Sequence, residues 1–575
     1  MKKILYNLNI FFNKNQIVAI IIFFSFSFLL PFLELISIGS LGALILFILN
    51  IEDSIKSIPV LYIQNILLTF SKIELIYYFS FILLFIVVIK NIFLFFYFLF
   101  ESRLRRSISN HHAVFLFNNY TNKNYIEHTL LDNADLQNDI LNQSRKISDY
   151  IFFSISLIKD LIISLFLITT LFFINLKATF FFVILCMFLS LIFYLLTNKK
   201  IKYIGNIVRS LEFELIKIVR NAFEGIKTVI IFNKQKFFQN RFLKIISKKK
   251  ENEQWHEIIS KLPKLFLEIL FTASIVIFVI FFMKTESDVK SSIPFLVFLS
   301  LISIRMLPIF SNLNSIIVNI RYMEPVVNKI VDIILAFKAN NLITIDDKCS
   351  FNDDCSIEFK NVGFNYSGLD KPILRNISFK FLPNKIYALV GKTGAGKSTL
   401  LDLAIGIIQP TTGIILSGKD NINSNILEWR KSVGYVPQDN FLLNDTILNN
   451  ICFGEENKNI DLNKFNEAVD KSDLKEFINQ LPDKENTYIG DKGIRISGGQ
   501  RQRIGLARAL YENRFFLALD EATSAVDDRT ENTILKTLNK IKKNKIIIII
   551  AHRETTVNLC DEIVKLENGQ IKNLL

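Results

Sequence analysis

Gly391-Lys-Thr-Gly-Ala-Gly-Lys-Ser-Thr399 is the stretch from which the rest of the chain is read. Gly391, four residues, Gly396, then Lys397 and Ser398 fit the phosphate-loop pattern, a glycine-rich turn whose backbone N–H groups can close round phosphates. The apolar run Ile386 to Val390 just before it reads as a buried strand, and Ser398 opens a helix. The loop therefore meets a helix N-terminus, where positive partial charge favours anions. Gly391, Lys392, Thr393, Gly394, Ala395, Gly396, Lys397, Ser398 and Thr399 are the candidate nucleotide contacts. Lys397 is placed to neutralise the β- and γ-phosphates and Ser398 to ligate Mg²⁺.

Two later stretches fit the same chemistry. Phe515 to Leu519 reads as a buried strand ending in Asp520-Glu521. Asp520 is expected to hold Mg²⁺, directly or through water, and Glu521 to polarise the attacking water as general base. Such a pair after an apolar strand is ordinarily just a solvated strand end; its place downstream of a phosphate loop is what singles it out. His552 follows the apolar run Ile546 to Ile550, which puts it at a strand's carboxyl end, where ligands of open α/β sheets bind.

The chain has 575 residues, too many for one core, and it is 51% apolar with 55 Phe and a mean hydropathy of +0.35. That composition points to a polytopic membrane protein joined to a second domain. Stretches near Ile17 to Leu49, Ile73 to Phe100, Ile151 to Ile174, Ala178 to Leu196, Leu265 to Met283 and Ile293 to Ile320 are apolar enough, and about long enough, to cross a bilayer. Pro31 and Gly39 in the first predict a tilt or kink. Ile4 to Asn15 before it reads as an amphipathic surface helix.

The net charge of +14 raises the question of nucleic acid. The basic residues cluster instead in long segments between spans, Arg103 to Lys146 and Lys199 to Lys261, as the positive-inside rule expects. With no recognised nucleic-acid module in the chain, no nucleic-acid partner is expected. The long segments and both termini then face the cytosol. Lys2 and Lys3 before an apolar run mimic a signal peptide, but the run continues past Leu30, so an uncleaved first span is expected. Cys186, Cys349, Cys355, Cys452 and Cys560 are scattered, without metal-ligand spacing.

Further motifs follow in fixed order: Ile496-Ser-Gly-Gly-Gln-Arg-Gln-Arg503 before the Asp-Glu strand, and Ser524-Ala-Val-Asp527 after it. With the phosphate loop and His552, they make the chain resemble the ATP-binding cassette (ABC) transporters along its whole length. The resemblance implies a type I exporter half: an α-helical membrane domain of six transmembrane helices (1–325), a helix end and linker (326–355) and an α/β P-loop nucleotide-binding domain (356–575). By the same resemblance Tyr366 stacks on adenine, Gln438 senses Mg²⁺, and His552 contacts the γ-phosphate. Ser497, Gly498, Gly499 and Gln500 complete the ATP site of a second subunit, which implies a homodimer, and Asp527 is a further nucleotide-binding candidate. Coupling helices fall near Asn124 to Leu131 and Leu211 to Ile218. Tyr488 stands where Glu is frequent in the exporter segment Thr487 to Gly493. Membrane and ATPase halves fused in this order imply export across a bacterial inner membrane.

Ionisable groups inside spans are expensive and mark function. Lys90, Lys264 and Arg305 are the candidate substrate contacts, with Glu34, Asp160 and Glu268 as possible partners; the plain alternative for Lys90 and Lys264 is snorkelling to the interface. A cationic cavity suits a phosphate or pyrophosphate head group. Lys261 to Glu268, Arg305 to Pro308 and Lys90 resemble the flippases of bacterial N-linked glycosylation, which implies a polyprenyl-pyrophosphate oligosaccharide as substrate. The loop Ile51 to Tyr62 then matches that family's external helix. An exporter of lipid A-type lipids, drugs or peptides is the alternative, and a non-transporting ATP-binding regulator a third reading.

Overall fold

The computed structural model describes residues 12–49, 70–174, 176–285, 289–340, 356–366, 371–456, 458–490, 496–521 and 528–574. The chain divides into two compact units, one of residues 1–123 and 128–342, the other of 124–127 and 343–575.

The first unit is built from long helices: Lys14–Leu49, Lys72–Thr121, Ser144–Ile174, Leu176–Glu224, Gln235–Thr285 and Val289–Asn340. Among the described residues, Lys14–Glu34 and Ile73–Thr121 are long and apolar enough to cross a bilayer. The second of these opens on a capping box in which Ser71 and Glu74 each satisfy the other's backbone N–H. Pro31 and Pro263 sit inside helices. Helices pack through aromatic contacts, Phe23 stacking on Tyr97 at 4.8 Å. Gly205 permits a close crossing, because a Cβ there would lie 2.2 Å from the Tyr322 carbonyl oxygen.

One expectation shifts. The expected turn at Leu211 to Ile218 is continuous helix, Leu176–Glu224. Its apolar spacing serves packing: Leu211 and Ile218 are buried with Ile245 of the next long helix. The chain breaks further on, at the short helix Ile226–Ile231 between Gly225 and Asn233, the latter in the left-handed region at φ 51°. Another short helix, Tyr125–Thr129, lies inside the stretch 124–131. The N-terminal surface helix falls largely outside the described residues. Ile51 to Tyr62 and the linker 341–355 also lie outside the described residues.

The second unit carries two sheets. β1 (Ile357–Phe364), β2 (Leu374–Phe381), β4 (Thr412–Ser417) and β5 (Asp420–Asn421) form an antiparallel sheet in the order β2-β1-β4-β5. The larger sheet contains β3 (Lys385–Val390), β6 (Val433–Val436), β7 (Phe516–Asp520), β8 (Ile546–Ile550), β9 (Glu562–Glu567) and β10 (Gln570–Leu574), in the order β10-β9-β3-β8-β7-β6. Its members β9, β3, β8, β7 and β6 run parallel. All five isoleucines of β8 are buried, as a strand covered on both faces requires.

Candidate nucleotide and substrate sites

Because β3, β8, β7 and β6 are parallel neighbours, their carboxyl ends line up along one edge. β3 delivers the phosphate loop, β8 delivers His552, β7 delivers Asp520 and Glu521, and β6 leads to Gln438. Residues far apart in sequence thus meet at one sheet edge.

The loop ends at Gly396, whose left-handed φ of 100° turns the chain into the helix Lys397–Ala404. A Cβ there would sit 2.8 Å from Leu374 Cδ2, so conformation and space both call for glycine. Lys397 is buried, and its Nζ donates to the carbonyl oxygens of Gly391 at 2.9 Å and Lys392 at 3.2 Å. Its charge is thus held at the mouth of the loop. Ser398 hydrogen bonds to Asp520, whose carboxyl is raised from its ordinary value by burial first and then by the nearby Glu521 charge. A hydroxyl and a carboxylate in contact, beside a buried lysine, are the oxygen donors a hard divalent cation bound to phosphates takes. The residues therefore fit Mg-ATP: Lys397 and the loop for phosphates, Ser398 and Asp520 for the metal.

Glu521 occupies the left-handed region, φ 49°, rare for a non-glycine residue. This turn follows directly on the end of β7. One carboxylate oxygen lies 2.9 Å from His552 Nε2, and the other accepts a hydrogen bond from Gln438 Nε2, also at 2.9 Å. Gln438 and His552, expected to face metal and phosphate, here both engage the Glu521 carboxylate.

Tyr366 makes an edge contact with Phe364 at 4.8 Å and hydrogen bonds with Thr399, so it stands against the start of the phosphate-loop helix. Ser497 caps the helix Gly498–Tyr511 through a capping box with Gln500, its Oγ accepting from Gln500 N at 3.2 Å. Gly498 and Gly499 form that helix's first turn. The helix packs with Ile447, Phe465 and Leu517 in one hydrophobic cluster, whereas the phosphate-loop helix packs in another with Trp429 and Phe516. The loop and the Ser497 motif of one chain are thus mounted on separate cores. Asp527 lies outside the described residues, as does part of Thr487 to Gly493.

Several groups escaped sequence reading. Asp402 is pushed up to about 6 by burial and by the charge of Asp520. Arg508 donates to the carbonyls of Asn450 at 2.8 Å and Phe441 at 2.9 Å, tying the chain after Gln438 to the Ser497 helix. Burial lowers its pKa to about 10. Glu531 is almost completely buried against Arg553 and Thr556.

In the first unit, Lys90 is turned inward rather than snorkelling. It is buried, and its ammonium pairs with Glu34 Oε2 at 2.9 Å. Lys264 lines a cleft of about 510 Å³ with Lys261, Asp160, Ser260, Ser311, Asn312 and Ser315. Asp160 is buried there, accepting from Asn312 and lying 3.4 Å from Lys159 Nζ. Arg305 sits in the helix Val289–Asn340, with its side chain outside the description.

Residues 374–524 match the family described as ABC transporter. A bacterial Atm1-family ABC exporter with ATP bound superimposes with a TM-score of 0.74 at 21% identity, over 98% of this chain and 95% of that one. The fold is that of an ABC exporter. The ATP-dependent lipid A-core flippase of Coxiella burnetii is 42% identical over 217 residues, 38% of this chain and 37% of that protein. The mitochondrial iron-sulfur clusters transporter of Kluyveromyces lactis is 42% identical over 224 residues, 38% of this chain and 30% of its own. A putative export ATP-binding/permease protein of Rickettsia typhi is 42% identical over 242 residues, 40% of this chain and 42% of that protein. The chain thus spans well under half the length of these relatives.

Proposed function

We propose that the chain is half of a homodimeric ATP-driven exporter of a bacterial inner membrane, both termini cytosolic, hydrolysing Mg-ATP to move an anionic amphiphile. The observation that carries this reading is the Glu521 carboxylate, held by Gln438 and His552 beside Asp520 and the Lys397 loop. Bound Mg²⁺ would supply charge neutralisation of the transferred phosphoryl group. Glu521 takes the proton of the attacking water, and Gln438 and His552 fix its orientation. Lys397 and the backbone of Gly391 to Thr399 orient the phosphates, and Tyr366 flanks the base. Ser497 to Gln500 act across the dimer, each copy completing its partner's site.

Ile226, Ile230, Ile231 and Phe232 leave an exposed apolar face at a break between long helices. That face supports assembly with a second copy. The short helix Tyr125–Thr129 lies in the stretch expected on sequence grounds to act as a coupling helix.

For the substrate, the proposal is a polyprenyl-pyrophosphate oligosaccharide flipped from the cytoplasmic to the periplasmic leaflet. Lys264, in a cleft rich in hydroxyl and amide groups, supports a phosphate-bearing head group with sugars. Arg305 joins it on sequence grounds, while Lys90 is held by Glu34, its expected partner. The flippase and transporter relatives match over too little of the chain to select another cargo.

The test is ATP-driven movement of a fluorescent polyprenyl-pyrophosphate oligosaccharide in proteoliposomes, with Glu521→Gln as the inactive control and a lipid A analogue in parallel. Movement by wild type, lost in Lys264→Ala with basal hydrolysis retained, supports the reading. Movement of the lipid A analogue alone overturns the substrate.

A further inference from the structure

We infer that Glu531 is a positioning residue for His552, acting through Arg553; the inference rests on the ATPase reading above. Glu531 lies in the first turn of the helix Asp528–Ile541 and is 1% exposed. A carboxylate so deeply buried is costly unless its oxygens are satisfied. Here both are. Oε2 accepts from Arg553 Nη1 at 2.7 Å, and Oε1 accepts from the Thr556 hydroxyl.

Both donors lie just after the site histidine, in the turn and short helix that follow it. Arg553 directly follows His552 and is the N-cap residue of the short helix Glu554–Val557, with extended φ −100° and ψ 137°; Thr556 lies inside that helix and is buried. Held at two points, the turn leaves His552 Nε2 at 2.9 Å from Glu521 Oε1. The mount itself is rigid for independent reasons. Ile534, Leu535 and Leu538, on the same helix as Glu531, are buried in the cluster that also contains Leu517 and Leu519 of β7. The chain thus fixes His552 from the helix that follows the Asp520-Glu521 strand, and one rigid element sets both partners of the Glu521–His552 contact. A plain structural ion pair predicts a loss of stability alone. A positioning role predicts that catalysis falls only where His552 is present to be misplaced.

The experiment uses the full chain in lipid nanodiscs. Single-turnover ATP hydrolysis, with ATP affinity and thermal stability in parallel, is measured for wild type, Glu531→Gln, His552→Ala and the double variant. Gln keeps an acceptor for Thr556 and removes the charge opposite Arg553. The expected result is a rate lower by on the order of 10-fold, the scale of a small misplacement of a reacting group, with ATP affinity unchanged. In the His552→Ala background Glu531→Gln adds no further loss. Arg553→Lys, which keeps the charge but loses the guanidinium fork, moves the rate in the same direction. The inference is overturned if Glu531→Gln hydrolyses like wild type, or slows the His552→Ala protein by the same factor. Hydrolysis that persists undiminished in Glu521→Gln is a different failure, that of the ATPase reading itself.

Discussion

Replacing Glu521 by Gln separates the chemistry of the site from its architecture. The carboxylate holds two neighbours, Gln438 Nε2 and His552 Nε2, each at 2.9 Å. An amide keeps an oxygen for Gln438 and turns an N–H toward His552, which can accept in its neutral form. Two contacts worth about 1 kcal/mol each therefore survive, and thermal stability should stay within a few degrees of wild type. What disappears is the ability to take a proton. General-base contributions of about 10²–10⁴-fold correspond to ~2.7–5.4 kcal/mol of activation free energy at 1.36 kcal/mol per tenfold. On the proposed reading ATP is held by the loop Gly391 to Thr399 and by Asp520, all unchanged, so binding should persist. The assay is phosphate release by the purified protein in nanodiscs, with fluorescent nucleotide binding measured alongside. Turnover near the wild-type rate, with the protein folded and nucleotide bound, would refute the base role and leave Glu521 as a tether for Gln438 and His552.

Two more predictions concern charge. Asp402, raised to about 6 by burial and by Asp520, holds its proton more tightly folded than unfolded, so its contribution to stability is full below its unfolded value and lost as pH rises through about 6. Asp402→Asn should therefore raise the nucleotide-free melting temperature at about pH 8, with the gain shrinking by about pH 5; a gain independent of pH in a thermal-shift titration would contradict this. Lys90→Met removes the ammonium opposite Glu34 in a packed helix pair and should destabilise by about 3–5 kcal/mol, with Glu34→Gln in the same chain restoring stability. A double variant that melts like wild type yet moves no substrate would instead make Lys90 a substrate contact.

The ATPase half was legible because its chemistry is local. A phosphate loop needs glycines and a lysine at fixed spacing, and Gly391 to Thr399 carry both in the sequence and sit between β3 and a helix in the structure. Asp520 and Glu521 stand out as the end of an apolar strand downstream of a phosphate loop, and His552 is singled out by the family resemblance. What sequence could not show was pairing across the fold. Lys90 looks the same on paper whether it faces a cavity, lipid or Glu34; only the crossing of two helices decides it. Leu211 to Ile218 displays apolar helical spacing, which marks a buried face and says nothing of where a helix ends; Gly225 and Asn233 mark that instead. Glu531 carries no local signal, because its meaning lies in Arg553 and Thr556, two elements away.

The strand order adds a consequence that none of the motifs carries alone. Gln438 and His552 emerge from β6 and β8, the two neighbours of β7, and each holds one oxygen of Glu521 from opposite sides. Neither can move without redirecting the carboxylate. Gln438 continues into the chain anchored by Arg508 and Asn450 to the helix that Ser497 caps. His552 continues into the turn that Glu531 pins. The base is therefore suspended between two separately mounted arms, one reaching the motif proposed to meet a second subunit, the other the helix that follows β7. A shift at either mount reaches the carboxylate through a single side-chain contact.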